Sequence, residues 1–195
     1  MQDLKNLPVL ILAYNRFDKF VKCLGSLNKH GIKKVYVSID GPKNEFDILN
    51  QRKIISFCQK NIFNLNIKIN YFESNFGCRM GPIKGITWFF LKNKYGVVLE
   101  DDVLLTRKCF EAFLLLLQIN INNEEFMSIS SFNEFSNKSL ESIYSIPVWR
   151  SWGWASWADR WHYHLDFSNK IRKLNTWELY RLMPKNLQSI ETAKL

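Results

Sequence analysis

The stretch Gly96-Val-Val-Leu-Glu-Asp-Asp102 places three carboxylates directly after a short apolar run. An apolar run of this length is typical of a strand that is buried on both faces of a sheet. Three neighbouring negative charges are unfavourable unless a cation or hydrogen-bond donors neutralise them. The stretch therefore predicts a buried strand that ends at a cation site. An acidic turn that caps the next helix is the alternative interpretation of the same residues.

Short apolar runs alternate with helical patterns through the first hundred residues. The unbroken run from Pro8 to Ala13 is typical of a buried strand, whereas the three- and four-residue spacing of apolar positions after Arg16 is typical of an amphipathic helix. Four strands separated by helices predict an α/β fold with a mostly parallel sheet flanked by helices. The predicted strands are 8–13, 34–39, 67–72 and 96–99, and the predicted helices are 16–28, 46–63 and 83–94, with a loop over 74–82.

Polar or glycine-bearing segments follow each of the predicted strands. In an α/β sheet of this kind, ligands bind beyond the carboxyl ends of the strands, so these segments are expected to meet in one cleft. They are Tyr14-Asn15-Arg16, Asp40-Gly41-Pro42, the loop from Asn75 to Gly81, and Glu100-Asp101-Asp102.

Each of these segments has a binding interpretation and a structural one. Asp102 and its neighbours suit Mg²⁺ or Mn²⁺, which prefer carboxylate and phosphate oxygens, so a nucleoside diphosphate would complete the site. Asp40 is a candidate for hydrogen bonds to a nucleobase or ribose, or else belongs to an ordinary turn. Arg16 suits a diphosphate but is also common as a solvated residue in the first turn of a helix. The loop with Asn75 and Arg79 precedes a helix start, where backbone N–H groups can hold an anion.

The chain downstream of the acidic stretch changes in composition. A helix over 109–119 and a fifth strand over 126–130 are predicted first. Five tryptophans then fall within Trp149 to Trp161, a density that exceeds what core packing needs and indicates a sugar-stacking platform or the rim of a lid. Core packing is expected to account for part of this cluster. A further helix over 176–183 is predicted before Pro184.

The composition excludes disorder and a membrane span. Of 195 residues, 47% are hydrophobic and 15% aromatic, which is enough apolar surface for one packed domain. The net charge of +9 favours nucleotides, nucleic acid or an anionic membrane as partners. Four widely spaced cysteines, no export signal and no long apolar run make a reducing cytoplasm the expected compartment, with peripheral contact at the inner face of the membrane as a further expectation.

These motifs, taken in order, resemble the GT-A glycosyltransferases, and in particular the N-acetylglucosaminyltransferase I type and similar bacterial sugar transferases. The resemblance covers about residues 7–165. It implies a Rossmann-like GT-A fold, a divalent metal and a nucleotide-sugar donor that is commonly UDP-linked. It implies a glycan or glycolipid acceptor, with bacterial surface polysaccharide synthesis as the expected setting, and no nucleic acid partner. The motifs that carry it are 8–16, 37–41, 75–77, 97–103 and 151–154.

The resemblance also implies roles for individual residues. Asp102 would bind the metal, Asp101 would contact the ribose or the metal, and Glu100 would hold a hydroxyl of the donor sugar. Arg16 and Asp40 would contact the nucleotide. An inverting transfer also needs a carboxylate base. The candidates for the base are Glu178, which follows Trp177, and then Asp159 and Asp166. The segment Gly153-Trp154 would border the donor sugar and the acceptor.

The expected organisation is a single catalytic domain over 1–195. Residues 7–130 would form the nucleotide-sugar-binding core, and 131–195 would form a segment on the donor and acceptor side, with truncation before the acceptor-binding part left open. Two other functions also remain open. One is a non-catalytic glycan- or nucleic-acid-binding module, which includes an inactive transferase fragment. The other is a nucleotidyltransferase, which would usually carry a glycine-rich basic loop where this chain has Ala13-Tyr-Asn-Arg16.

Overall fold

The computed structural model describes residues 3–132, 150–175 and 178. Within them, the first element is a short 3₁₀ helix at Leu4–Asn6. In chain order the strands are β1 Val9–Ala13, β2 Lys34–Ile39, β3 Asn66–Tyr71, β4 Tyr95–Glu100, β5 Ile129–Ser130 and β6 Trp154–Trp157. The α-helices are α1 Phe17–Lys29, α2 Glu45–Lys60, α3 Gly77–Phe90, α4 Arg107–Ile119 and α5 Ala158–Ile171.

The described strands form one six-stranded mixed sheet in the order β3-β2-β1-β4-β6-β5. Strands β1 to β4 are parallel to one another, and β6 pairs antiparallel with both β4 and β5. The chain therefore builds the sheet outward from β1 to β3 and then returns through α3 to place β4 on the other side of β1. This architecture confirms the predicted α/β class and the mostly parallel sheet.

Helices cover both faces of the sheet. On one face, Val9 and Ile11 of β1 pack in a core with buried residues of α1, α2 and α4. On the other face, Leu10 packs with Phe89 of α3 and Trp161 of α5. Strand residues alternate between the two cores because successive side chains of a strand point to opposite faces. Burial on both faces explains why β1 and β4 are continuous apolar runs in the sequence.

Helix α1 shows how the periodicity of the sequence is used. Phe20 is followed three and four positions later by Cys23 and Leu24, and Leu27 lies four and three positions beyond these two; all four are at most 1% exposed. They form the apolar stripe that packs on the sheet, while the opposite side of the helix carries Lys and Asn. Burying a large apolar side chain of this kind stabilises a fold by about 1.5–3 kcal/mol. The stripe therefore fixes which side of α1 faces β1 and β2.

The predicted loop over 74–82 is wrong in its second half, because α3 already begins at Gly77. Gly77 has a φ of +76°, which favours glycine, and the helix includes Pro82 in its second turn. No side chain of the preceding residue caps this helix. The carboxylate of Asp40, from a distant part of the chain, accepts its first N–H group instead. A local pattern of glycine and proline gives no sign of a cap that comes from another strand end.

The tryptophan-rich segment also differs from its prediction. Trp154, Trp157 and Trp161 are 5%, 1% and 8% exposed, and only Trp152 among the described tryptophans of the segment is largely exposed, at 56%. Core packing therefore accounts for more of this cluster than the sequence indicated. Trp149 and the predicted helix over 176–183, except Glu178, lie outside the described residues.

The strands β5 and β6 account for the burial of this segment. The four residues of β6 insert between β4 and β5 and are all buried, which the sequence analysis did not predict. The predicted fifth strand over 126–130 is only Ile129–Ser130, because it pairs with just two residues of β6.

None of the helices in the described part of the chain is long and apolar enough to cross a membrane. All four cysteines are free thiols, of which Cys23 and Cys58 are buried and Cys78 is exposed.

Candidate functional site

A cleft of about 960 Å³ lies at the carboxyl ends of the parallel strands. It extends along the α3 and α5 side of the sheet, where Leu12 and Val98 form part of its floor. The strand order reverses between β1 and β4, which places the cleft at the position where ligands bind in open α/β sheets. Six of the residues predicted from the sequence line it, namely Arg16, Asp40, Arg79, Glu100, Asp101 and Trp154.

Arg16 bridges the two aspartates that follow β4. Its Nη1 donates to Asp102 Oδ2 at 2.7 Å, and its Nη2 donates to Asp101 Oδ1. The backbone positions the pair, because the N–H of Asp101 donates to the carbonyl of Leu12 and so extends the pairing of β1 with β4. Arg16 and the acidic stretch therefore meet where the carboxyl ends of β1 and β4 lie side by side, as predicted. Asp102 lies at the edge of the cleft, held by Arg16, and does not line the cleft itself.

Burial makes the acidic stretch costly. Asp101 is 1% exposed, and burial raises the pKa of its carboxyl even though the hydrogen bond from Arg16 acts in the opposite direction. Burial and the negative charge of Asp102 also raise the pKa of Glu100. Burial alone would lower the pKa of the Arg16 guanidinium. The hydrogen bond to Asp101 and the negative charge of Asp101 outweigh this effect, so the pKa is raised. The guanidinium of Arg16 therefore acts as the positive counter-charge to a cluster of three carboxyl groups.

One buried oxygen of this cluster is left without a partner in the described part of the chain. Asp101 Oδ2 is buried and accepts no hydrogen bond within the described part of the chain. In the same residues, no three His, Cys, Asp or Glu side chains are grouped so that they could hold a metal ion by themselves. Mg²⁺ is typically held by one or two carboxylates, with phosphate oxygens completing the shell. The carboxyl groups of Asp101 and Asp102 fit a hard divalent cation as part of a site that a phosphate completes.

Asp40 holds the start of α3 at the edge of the cleft. Its Oδ1 accepts the N–H groups of Gly41 and Phe76 at 3.0 and 2.9 Å, and its Oδ2 accepts the N–H of Gly77 at 2.9 Å. Asn75 donates from Nδ2 to the carbonyl of Gly41 at 2.6 Å. Asn75 therefore closes the loop and does not line the cleft. Both interpretations of Asp40 given above remain compatible with this position, since it is a turn residue that also borders the cleft.

The first turn of α3 presents positive partial charge to the cleft. The N–H groups of Cys78 and Arg79 precede Met80, the first residue that can donate within the helix, so they have no partner inside it. The side chain of Arg79 is exposed and lines the cleft, and it has no ion pair among the described residues. A helix start with a free guanidinium beside it attracts anions. The cleft therefore has a carboxylate-rich part next to Arg16 and an anion-attracting part at α3.

A polar network that the sequence analysis missed fixes the loop after β1. The Tyr14 hydroxyl and Asn15 Nδ2 donate to Asp47 at 2.5 and 2.6 Å, and the N–H of Lys43 donates to it at 3.0 Å. These donors lower the pKa of Asp47, with the Tyr14 hydrogen bond as the largest cause. The available signal was the spacing of Asn44 and Asp47 at the start of α2, where Asn44 Oδ1 accepts the Asp47 N–H.

Aromatic residues of α5 form one wall of the cleft. Trp161 of α5 packs beside Trp154 with ring centroids 6.2 Å apart, and its indole N–H donates to Thr87 Oγ1 at 3.1 Å. Further along α5, the exposed rings of Tyr163 and Phe167 stack with an interplanar angle of 6°. His164, whose ring lies 5.6 Å from that of Trp161, also lines the cleft. Rings of this kind offer apolar faces to a sugar or another flat ligand.

The candidate base residues are not brought into the cleft. Glu178 is exposed, and its Oε2 accepts the N–H of Asn175 at 2.8 Å while its own N–H donates to Asn175 Oδ1. This reciprocal pair is a capping box, the usual arrangement at a helix start. Asp159 is paired with Arg160, and Asp166 is exposed. None of the three carboxylates lines the cleft.

Comparison with known proteins gives no family assignment. No protein-family model matches the chain, and no curated protein matches it.

Proposed function

We propose that this chain is a metal-dependent glycosyltransferase of the GT-A type, which transfers a sugar from a nucleotide sugar, UDP-linked, to a glycan or glycolipid acceptor. One observation carries the proposal. Arg16 from the end of β1 and the carboxyl groups of Asp101 and Asp102 from the end of β4 meet at the reversal of strand order, at the edge of a cleft of about 960 Å³. A buried carboxylate next to an exposed one, beside an anion-attracting helix start, suits a diphosphate together with its divalent cation.

The cleft offers a place for each part of such a donor. The diphosphate would lie between Arg16 and the first turn of α3, where Arg79 adds a second guanidinium. The nucleoside would lie toward Asp40 and Tyr14, because these residues border the cleft beside β2. The donor sugar would lie toward Glu100 and the ring of Trp154. These places agree with the roles that the family resemblance implies for the same residues.

The carboxyl groups of Asp101 and Asp102 would hold the cation, with Asp101 Oδ2 as an available donor atom. A bound divalent cation would neutralise the charge that develops on the departing diphosphate. The residues of the chain act on the same charge. Arg16 and Arg79 would bind phosphate oxygens through charge-assisted hydrogen bonds, and the N–H groups of the first turn of α3 would donate to them. The aromatic wall of α5 would exclude water from the sugar and orient its ring.

Two finer parts of the proposal concern the surroundings of the cleft. Trp152 is exposed and packs against Phe132 with ring centroids 4.9 Å apart, so these two rings are the candidate rim of a lid. The net charge of +9 favours peripheral contact with an anionic membrane, where a glycolipid acceptor would be found.

The test is calorimetric titration of the chain with UDP, with and without Mn²⁺, for the wild type, Asp102→Ala and Glu124→Ala. Glu124 is an exposed carboxylate that does not line the cleft, so its removal makes the same change of charge elsewhere. We expect Mn²⁺ to tighten UDP binding to the wild type and to Glu124→Ala but not to Asp102→Ala. If UDP binds none of these proteins in the presence of Mn²⁺, the proposal fails. Release of UDP from a panel of UDP-sugars then identifies the donor.

A further inference from the structure

Arg16 occupies the positions that a cation would take at the end of β4. Its two terminal nitrogens contact one oxygen of Asp101 and one of Asp102, so a single guanidinium satisfies both carboxylates at once. The side chain has no structural task at its own helix, because Arg16 precedes α1 without making a capping hydrogen bond. Its role in the described structure is therefore to neutralise the acidic stretch.

A divalent cation bound to the same oxygens would compete with this guanidinium. Two positive groups cannot share Asp101 Oδ1 and Asp102 Oδ2 without strong repulsion at such short distances. Asp101 Oδ2 is the buried oxygen of the described cluster that has no hydrogen-bond partner, and a cation that used it would still lie beside the bound guanidinium. Arg16 must leave at least one carboxylate before a cation can be held by the pair.

The structure allows the side chain to leave while its backbone stays in place. The Arg16 side chain is 46% exposed and lines the cleft, whereas Asp101 is buried. The loop that carries Arg16 is tied to α2 through the hydrogen bonds of Tyr14 and Asn15 to Asp47. A diphosphate is the natural new partner, because a planar guanidinium binds phosphate oxygens in a bidentate manner. Movement of one side chain would then suffice.

We propose that Arg16 is an internal counter-cation that excludes the divalent cation from the free protein and is drawn from Asp101 and Asp102 by the diphosphate of the donor, so that cation and nucleotide bind with positive coupling. This inference rests on the proposed function. The inference adds an order of binding to that function: the acidic site becomes available to the cation when the nucleotide binds. The coupling is reciprocal, so the cation tightens nucleotide binding by the same factor.

The test measures Mn²⁺ binding by the loss of the electron paramagnetic resonance signal of free Mn²⁺. It compares the wild type with Arg16→Gln and Arg16→Lys, first without nucleotide and then with UDP. Arg107→Gln is the matched control, because Arg107 also pairs with a carboxylate, Glu111 at 3.0 Å, and is of similar exposure but lies outside the cleft. We expect Arg16→Gln to bind Mn²⁺ about tenfold more tightly than the wild type in the absence of nucleotide. We also expect it to show a smaller gain on addition of UDP.

Each outcome of this comparison decides the proposal. Unchanged or weaker Mn²⁺ binding by Arg16→Gln without nucleotide overturns it, as does an equal gain in Arg107→Gln. Should circular dichroism show that Arg16→Gln is unfolded, Arg16→Lys is decisive. One ammonium group cannot bridge both carboxylates as the guanidinium does, so Mn²⁺ binding tighter than the wild type is expected and equal or weaker binding overturns the idea. If the wild type binds Mn²⁺ and UDP together and the Arg16 variants bind both equally well, this inference fails and the proposed function stands. Failure to bind UDP at all removes the proposed function.

Discussion

The hydroxyl of Tyr14 donates a 2.5 Å hydrogen bond to Asp47 Oδ2 and so joins the loop after β1 to the first turn of α2. Burial, followed by this hydrogen bond and the charge of Asp47, raises the pKa of Tyr14 to about 12. The same loop carries Arg16, whose guanidinium holds Asp101 and Asp102. The position of the candidate site therefore depends on a hydrogen bond to Asp47, a residue that does not line the cleft.

Tyr14→Phe should change how the stability of the chain depends on pH. A tyrosine with a folded pKa of about 12 and an ordinary value of 10.0 gives up its proton first in the unfolded state. Its contribution to the free energy of unfolding is complete below pH 10 and is lost as the pH rises toward 12. We expect the wild type to be more stable than Tyr14→Phe near neutral pH and to lose this advantage across that interval. Urea denaturation at a series of pH values measures the difference.

Tyr95→Phe is a suitable control, because Tyr95 lies on β4 outside the cleft and away from Asp47. The difference in stability between wild type and variant should change more from pH 9 to 12 for Tyr14→Phe than for Tyr95→Phe. A constant difference for Tyr14→Phe would show that the hydrogen bond to Asp47 does not influence the titration of Tyr14.

Gly85→Ala tests how closely α3 packs on the sheet beside the cleft. A Cβ at Gly85 would lie 2.5 Å from Ser38 Oγ and 2.8 Å from Ser38 Cβ, and Ser38 is 4% exposed. Overpacking of this kind costs about 1–3 kcal/mol. Alanine gains about 1 kcal/mol in helix propensity over glycine, which offsets only part of that cost. We expect a net loss in the free energy of unfolding, measured by chemical denaturation.

The matched control for this substitution is Gly25→Ala in α1. A Cβ at Gly25 would meet only the ring of Phe63, at 3.7 Å, which is an ordinary van der Waals contact. Here the helix propensity of alanine acts without a clash, so the variant should be as stable as the wild type or up to about 1 kcal/mol more stable. Equal effects at the two glycines would mean that α3 and β2 are not in tight contact.

Local patterns predicted the parallel part of the fold well. The strand Lys34–Ile39 has the predicted bounds, and β1 differs from its prediction by one residue. Both strands are buried apolar runs next to turn residues, so the signal lies within the segment itself. The meeting of Arg16 with Asp101 and Asp102 was also predictable, because it follows from the rule that the carboxyl ends of neighbouring parallel strands lie together.

The features that were missed depend on contacts between distant segments. Helix α3 begins at Gly77 because Asp40 accepts its first N–H, and no local residue signals this. Strand β6 is only four residues long and is buried on both faces, so Trp154 and Trp157 show no alternation that would distinguish a strand from a ligand platform. Asp47 looks like an ordinary residue in a first helical turn, although it organises the loop that carries Arg16.

Asp101→Asn should raise the stability of the chain toward neutral pH and weaken its binding of UDP. Burial raises the pKa of Asp101 above its ordinary 3.8, so the unfolded chain ionises at a lower pH than the folded one. The folded wild type is therefore stabilised below pH 3.8, where Asp101 is protonated in both states, and this stability is lost as the pH rises through the raised pKa of the folded state. Asparagine carries no charge, so we expect the stability of the variant relative to the wild type to increase from pH 4 toward neutrality. Thermal unfolding at several pH values measures this.

The same variant should lose the part of UDP binding that depends on Mn²⁺. We expect the Kd for UDP with Mn²⁺ to rise at least about tenfold, or about 1.4 kcal/mol. Asp166→Asn, at an exposed carboxylate outside the cleft, should leave both stability and binding near those of the wild type. Intact Mn²⁺-dependent binding in Asp101→Asn would exclude Asp101 from the cation site.

Cys78 provides a probe of the cleft that needs no substitution. It is exposed in the first turn of α3 and lines the cleft, whereas burial raises the pKa of the other thiols to about 12 for Cys23 and Cys58 and about 11 for Cys109. Since the thiolate is the reactive form, a maleimide at pH 7.5 should modify Cys78 first.

If the diphosphate binds at the start of α3, UDP with Mn²⁺ should slow this modification about tenfold or more, measured by mass spectrometry of the intact chain. Uridine, which lacks the phosphates, is the control and should protect far less. Equal rates with and without UDP, at concentrations where UDP is bound, would place the diphosphate away from α3, because a ligand held by the N–H groups of this turn must cover the thiol beside them.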